Sequence, residues 1–304
     1  MGYKLSPAEL FPDGIKRIVY EQVDKALENL RSTTRNKDVV VHDARVCVKK
    51  IRAVLRLVED SLGNKAFDEE DVAYRDVARH LSNVRDSTAM LEILDKLIAH
   101  FSDRLFPDAF VEIAAKLQRS KSVQRLGARS AMTHAEKALH KARKRIDSWP
   151  KLEAKQSLSQ GLKRTYKSGL KSFKQAYYKG SVDAFHEWRK HVKHLLFQTR
   201  ILKTIWGRIM KALTKELDAL GELLSEHHDL ALLRGRVSKL VSKNNKAEIE
   251  SLIALIDQRR GELEVQARQL GARVFAETPR AFISRNEAYW KTLRSEVKDA
   301  TLPS

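Results

Sequence analysis

Apolar residues recur along this chain at the spacing of helices that bury one face. Val41, Ala44, Val48, Ile51, Leu55 and Val58 form one such stripe, and Phe185, Trp188, Val192, Leu195 and Leu202 form a second. Leu213, Leu217, Leu220 and Leu224 form a third. Steps of three and four keep side chains on one side of a 3.6-residue turn. No stretch alternates apolar and polar residues long enough to make a strand. Prolines stand only at 7, 12, 107, 150, 279 and 303. Proline inside a helix costs ~3 kcal/mol, so the proline-free tracts, rich in Ala, Leu, Lys, Arg and Glu, permit long helices. The pattern predicts an all-α chain with helices over 14–31, 39–62, 68–82, 87–103, 108–118 and 121–147. After Pro150 it predicts helices over 155–179, 182–205, 208–226, 230–243, 246–275 and 285–298.

The two halves resemble each other. His42-Asp43-Ala44-Arg45 followed by Lys49-Lys50-Ile51 matches His186-Glu187-Trp188-Arg189 followed by Lys193-His194-Leu195, at an offset of 144. Arg56-Leu57 falls on Arg200-Ile201 at the same offset, and Arg85-Asp86 falls on His228-Asp229 at 143. Gly14-Ile15-Lys16-Arg17 opens the first half as Gly161-Leu162-Lys163-Arg164 opens the second. Anchors in one order at a nearly constant offset indicate a tandem duplication joined near Trp149-Pro150. The expected domains are 1–150 and 151–304, each a four-helix-type bundle related by a pseudo-twofold, the second carrying a tail helix.

Charge narrows the partners. Lys plus Arg total 58 against 39 Asp plus Glu, a formal +19. The first 150 residues hold 28 basic and 22 acidic groups, the remainder 30 and 17, so both halves are basic. Such an excess repels itself until a polyanion neutralises it, which points to nucleic acid, polyphosphate, an anionic surface or acidic protein. One cysteine, Cys47, excludes an intrachain disulfide and a cysteine-rich zinc site. The opening MGYKLSPAELFPDG has no apolar signal core, and no run of ~18 apolar residues spans a membrane. A cytoplasmic location is the expectation.

The repeated His-x-x-Arg-x-x-x-Lys helix carries the candidate chemistry. At about 100° per residue, His42, Arg45, Lys49, Arg52 and Arg56 fall within about 80° of one another. They make one basic stripe bordering the apolar one. His186, Arg189, Lys193 and Arg200 repeat it, with Leu196 at the fourth basic position and Lys190 and His194 widening it. Like charges at helical spacing repel, so a row of them suits a linear multi-phosphate ligand. Arginine grips phosphate oxygens with two bonds, and histidine near neutral pH becomes charged beside a phosphate. Lys163, Arg164, Lys167 and Lys171 make a second basic face, open to a ligand role or to plain solvation. Lys137 to Arg145 read as cations favouring a helix C-terminus. Asp86 and Asp229 read first as helix caps, with Arg85 a possible ligand contact oriented by Asp86. No HExxH, GxSxG or phosphate-cradling glycine loop appears, so neither a cofactor nor a metal is expected, and neighbouring His227 and His228 point apart on a helix.

Together, the doubled histidine helix, the Arg-Asp element near 85 and the Gly-Leu-Lys-Arg-x-Tyr opening near 161 resemble the CHAD family, the conserved histidine α-helical domain. The likeness runs from about 14 to 275. It implies two four-helix bundles whose basic residues face a shared cavity. It further implies binding of inorganic polyphosphate, association with polyphosphate granules, and frequent fusion or gene pairing with a triphosphate-tunnel (CYTH) domain. This chain lacks that domain's Glu-x-Glu-x-Lys and looks like a stand-alone member. Carried over, the phosphate contacts are His42, Arg45, Lys49 and Arg52, then His186, Arg189, Lys190, Lys193 and His194. His228 departs from Arg85, and Leu196 from Arg52.

The expected function is non-enzymatic polyphosphate binding. Nucleic-acid binding is the second reading, although few aromatics interleave the stripes. The third is an enzyme acting on polyphosphate or nucleotides, or an accessory module to one. It meets the difficulty that the stripes hold no carboxylate for Mg²⁺.

Overall fold

Asn36 starts the first histidine helix by accepting the backbone N–H of Asp38 on its side chain at 2.9 Å. Gly63, at φ 75°, ends it in a region that favours glycine. Ser181 caps the second histidine helix in the same way, accepting from Ala184 at 3.3 Å. The computed structural model describes residues 2–105, 109–124, 128–154, 157–242 and 245–300, with the side chains of 83–89, 120–124, 128, 157, 158 and 300 outside the description.

The described residues form α1 (Phe11–Arg31), α2 (Lys37–Leu62), α3 (Asn64–His100), α4 (Val111–Gln124) and α5 (Ala128–Arg145). A π-helical turn at Ser157–Gly161 leads into α6 (Leu162–Lys179), α7 (Val182–Ile201), α8 (Gly207–Val237), α9 (Lys246–Val274) and α10 (Pro279–Ala300). No strand occurs among them. The chain is all-α, as the apolar periodicity predicts.

In the first half, α1 packs on α2, α2 on α3, and α5 on both α3 and α1. In the second, α6 packs on α7, α7 on α8 and α8 on α9. Side chains close α9 onto α6: Tyr177 Oη donates to the Glu264 carbonyl at 2.7 Å, and the Phe275 ring abuts Gly169. Between the halves α2 crosses α7, with buried Gln198 donating to the Ala53 carbonyl at 3.1 Å. The linker lies tight against α2, where a Cβ on Gly161 would sit 2.0 Å from the Leu57 carbonyl oxygen.

The apolar residues make two clusters, and both draw on both halves. The larger contains Ile51, Leu55, Trp188 and Leu195. The smaller joins Ile93, Leu97 and Phe101 of the first half to Leu233, Ile249 and Leu252 of the second.

Two predicted breaks are absent. The helices expected over 68–82 and 87–103 are one helix, α3, and those over 208–226 and 230–243 merge into α8. Asp86 and Asp229 therefore lie inside helices and not at their N-termini. Neither junction holds a glycine or proline, so nothing interrupts the backbone hydrogen-bond ladder there. The tail helix is longer than expected, because Pro279 is accepted in its first turn and Thr278 receives the Ala281 N–H at 3.2 Å.

Candidate anion-binding cleft

The crossing of α2 with α7, flanked by α3 and α8, leaves a cleft of about 630 Å³. Helix α2 contributes His42, Arg45 and Lys49, and α3 contributes Ser82, Glu92 and Lys96. Helix α7 contributes His186, Arg189, Lys193, Phe197 and Arg200, and α8 contributes Asp218, Glu222, Ser225, His228 and Asp229. Basic residues from both halves thus line one hollow, each row adjoining the buried stripe of its own helix.

The two arginines are held alike. Arg189 Nε donates to Ser225 Oγ at 3.0 Å, and Ser225 in turn donates to the Gly221 carbonyl at 2.6 Å. Arg45 Nη1 donates to Ser82 Oγ and, at 3.2 Å, to the Ala78 carbonyl, while Ser82 donates to the same carbonyl. Neutral hydroxyls thus orient both guanidinium groups. No carboxylate lies within ion-pair distance of Arg189 among the described residues, and burial pulls its pKa below the usual arginine range against the weaker opposing pull of Asp229 and Glu222. A half-buried cation held by no direct ion pair is costly, and an incoming anion relieves that cost.

Two other cations of α7 rest on carboxylates. Lys193 Nζ lies 2.7 Å from Glu222 and Arg200 Nη2 lies 2.9 Å from Asp218, with both acids well exposed at the rim. Lys193 and Glu222 sit on different helices, so this pair is a tether across the cleft mouth. The stripes themselves lack acids, but folding brings Glu92, Asp218, Glu222 and Asp229 to the cleft wall.

Burial lowers the pKa of His186, with Arg189 and Lys190 adding to the effect. His228 is driven down to about 3, first by burial and then by His186, Arg189, His227 and Lys49. His227, next to it, turns away into the core, 2.9 Å from Glu264 and against the Phe185 ring.

Several predicted contacts do not reach the cleft. Arg52 and Arg56 both bind Asp71 of α3, at 3.0 and 3.4 Å. His194 faces the same two arginines, and burial holds it far below the ordinary histidine range. Lys190 pairs with Glu187 at 2.7 Å on the outer side of α7. Arg164 is tied to Asp60 at 2.8 Å and Glu59 at 3.3 Å, while Lys163 and Lys167 are exposed on α6, away from the cleft. The Arg85 side chain lies outside the described residues. Arg143 and Arg145 stand in the last turn of α5, as expected of cations at a helix terminus, and also reach Asp24 at 2.6 Å and buried Glu70 at 2.8 Å.

Ser82, Ser225 and Lys96 are cleft residues that the sequence reading missed. A signal for the serines was present, since each stands three residues before the Arg85-Asp86 and His228-Asp229 pairs. Lys96 follows Arg85 by 11 residues, about three helical turns, and shares its face only because α3 is unbroken.

Well over half of the 304 residues, positions 17–238, match the model of the family described as the CHAD domain. The chain belongs to the CHAD family. It is similar in fold to the crystal structure of the CHAD domain from the plant Ricinus communis, with a TM-score of 0.63 and 17% identity over 90% of this chain and 93% of that one. It is also similar to PptA from Streptomyces chartreusis, with a TM-score of 0.61 and 17% identity over 88% and 99%. No curated protein matches it. All seven Lys, Arg and His residues that α2 and α7 place in the cleft fall inside the CHAD match. The arm before Arg17 and helices α9 and α10 fall outside it. No helix among the described residues of this CHAD protein is long and apolar enough to cross a membrane.

Proposed function

We propose that this CHAD protein binds inorganic polyphosphate in the cleft between its halves and does not turn it over. One observation carries the reading: Arg189 is half-buried, braced by the neutral Ser225 and in no ion pair among the described residues, on a wall that also presents His186 and Lys193. From the other half, Arg45 is likewise hydrogen-bonded to a serine, Ser82. Membership of a family associated with polyphosphate and triphosphate binding supports the choice of anion.

Serine occupies Arg189 Nε, which leaves both Nη groups to grip phosphate oxygens in a fork. Lys193 and Arg200 exchange rim carboxylates for phosphates, and the counterions released add favourable entropy. Asp218 and Glu222 already serve Arg200 and Lys193, which favours reading them as counter-charges over metal ligands. Phe197, the only aromatic carbon ring lining the cleft among the described residues, is just 6% exposed and lies beneath Arg200. A buried ring gives bases no stacking platform, which favours an inorganic polyanion over single-stranded nucleic acid. Association with cytoplasmic polyphosphate granules follows from this reading.

The test is titration with long-chain polyphosphate at moderate salt. Each charged hydrogen bond contributes ~1.5 kcal/mol or more, so Arg45→Ala with Arg189→Ala should weaken binding by on the order of 100-fold. Wild-type affinity in that variant refutes the assignment. Duplex DNA or RNA that competes as well as polyphosphate at equal phosphate concentration transfers the cleft to nucleic acid.

A further inference from the structure

A second basic pocket, of about 370 Å³, abuts the cleft and shares Arg200 with it. Its other cations are Lys4, Lys50, Lys203 and Lys211, and no carboxylate lines it. The cleft sets six Lys and Arg against four acids, so the least compensated positive charge lies in this second pocket. Lys4, Lys203 and Lys211 are exposed and have no ion-pair partner among the described residues. Lys50 is half-buried, and burial lowers its pKa.

The N-terminal arm completes this pocket and is firmly held. Leu5, 1% exposed, donates its N–H to the Ile201 carbonyl at 3.0 Å and accepts from Thr204 Oγ1 at 2.9 Å. Tyr3 Oη donates to the Lys50 carbonyl at 2.9 Å, its ring meets Phe197 edge-on, and the Lys50 ammonium stands 5.1 Å from its centre. Arg17 Nη2 donates to the Lys4 carbonyl at 2.9 Å. Burial raises the Tyr3 pKa well above the ordinary range, so its hydroxyl adds no negative charge. Residues 2–5 precede the CHAD match, so this wall belongs to this chain's own arm.

The two spaces are continuous on three elements. Lys49 lines the cleft and Lys50 the pocket, consecutively on α2. Arg200 belongs to both, and Lys203 follows it. On α8, Asp218 and Thr214 lie four residues apart, about one helical turn or ~6 Å along the axis. We propose that the arm forms a second phosphate subsite, in which a polyphosphate chain leaving the cleft past Arg200 is gripped by Lys4, Lys50, Lys203 and Lys211. The proposal rests on the reading of the cleft as a polyphosphate site. It adds that affinity grows with chain length, because only a chain long enough to pass Arg200 reaches the lysines.

The experiment compares tripolyphosphate with long-chain polyphosphate on the full chain carrying Lys203→Gln and Lys211→Gln, two exposed positions whose replacement should leave the thermal melt unchanged. Long-chain affinity should fall about ten-fold at low salt, and the slope of log K against log salt should become shallower by about 1.4, near 0.7 per lost cation. Tripolyphosphate affinity should stay at the wild-type value. Unchanged long-chain affinity, or an equal loss for both ligands, overturns the subsite. Arg45→Ala with Arg189→Ala, measured alongside, separates the two failures. If the arginine pair leaves tripolyphosphate binding intact, the cleft reading fails and the subsite fails with it. If the arginine pair abolishes binding while the lysine pair changes nothing, the subsite alone is wrong.

Discussion

His186 and His228 meet with their Nδ1 atoms 3.2 Å apart and their ring centres 4.3 Å apart. At that distance one nitrogen donates and the other accepts, so the two rings cannot both be charged while the contact holds. Burial lowers both pKa values, and the surrounding cations, Arg189, Lys190 and Lys49, add to the effect over the opposing pull of Glu187 and Asp183. A bound phosphate reverses the local field and raises them. Polyphosphate binding should therefore take up protons, and affinity should be higher at pH 6 than at pH 8. His228→Asn should flatten that dependence. Affinities equal at the two pH values would exclude a charged histidine from the bound state.

The same shifts set the acid stability of the free protein. An unfolded histidine titrates near 6.5, whereas folded His228 titrates at about 3. Below pH ~6.5 the unfolded chain binds more protons, so the stability that neutral His228 contributes is present above that pH and is lost as pH falls toward 3. Thermal melts should show a lower Tm at pH 5 than at pH 7.5, and His228→Asn should narrow the difference. A gap of the same size in the variant would assign acid sensitivity to other groups.

The rim carboxylates compete with the ligand for Lys193 and Arg200. Glu222→Gln and Asp218→Asn should each tighten polyphosphate binding several-fold at low salt. An exposed ion pair contributes ~0–1 kcal/mol, so Tm should barely move. Weaker binding in either variant, read by anisotropy titration, would show that the acid positions its cation productively.

Two glycines separate fold from site. An alanine Cβ at Gly161 would collide with the Leu57 backbone, whereas at Gly221 it would meet the flexible end of Lys193 at 2.9 Å. Gly161→Ala should lower stability by about 2 kcal/mol or more, the range of an overpacked core. Gly221→Ala should leave denaturant unfolding nearly unchanged and weaken polyphosphate binding by displacing Lys193. Equal unfolding midpoints for the two variants would contradict the close approach of the linker to α2.

Most of the helical framework was legible because local signals agreed. Asn36 and Gly63 mark the ends of α2, and an uninterrupted apolar stripe marks its body. The merging of helices into α3 and α8 was not legible. Asp86 and Asp229 look like caps locally, yet the Ile93–Leu97–Phe101 and Leu233 faces beyond them bury themselves against the other half. That distant packing rewards a continued helix and overrides a weak local preference for a break.

The sequence by itself determined that the chain is helical, that it is strongly basic, and that His42, Arg45 and Lys49 share one face as His186, Arg189 and Lys193 share another. Each follows from composition or from the 3.6-residue turn, which any stretch of chain obeys without reference to the rest. Only the tertiary structure decided which cations remain available to an anion. Arg52 and Arg56 occupy the same predicted face as Arg45, yet both pair with Asp71 away from the cleft, while Arg189 of the other stripe is held by Ser225 at the cleft wall. Whether a cation is neutralised depends on what crosses it within a few ångströms, and those partners come from helices tens of residues away in sequence.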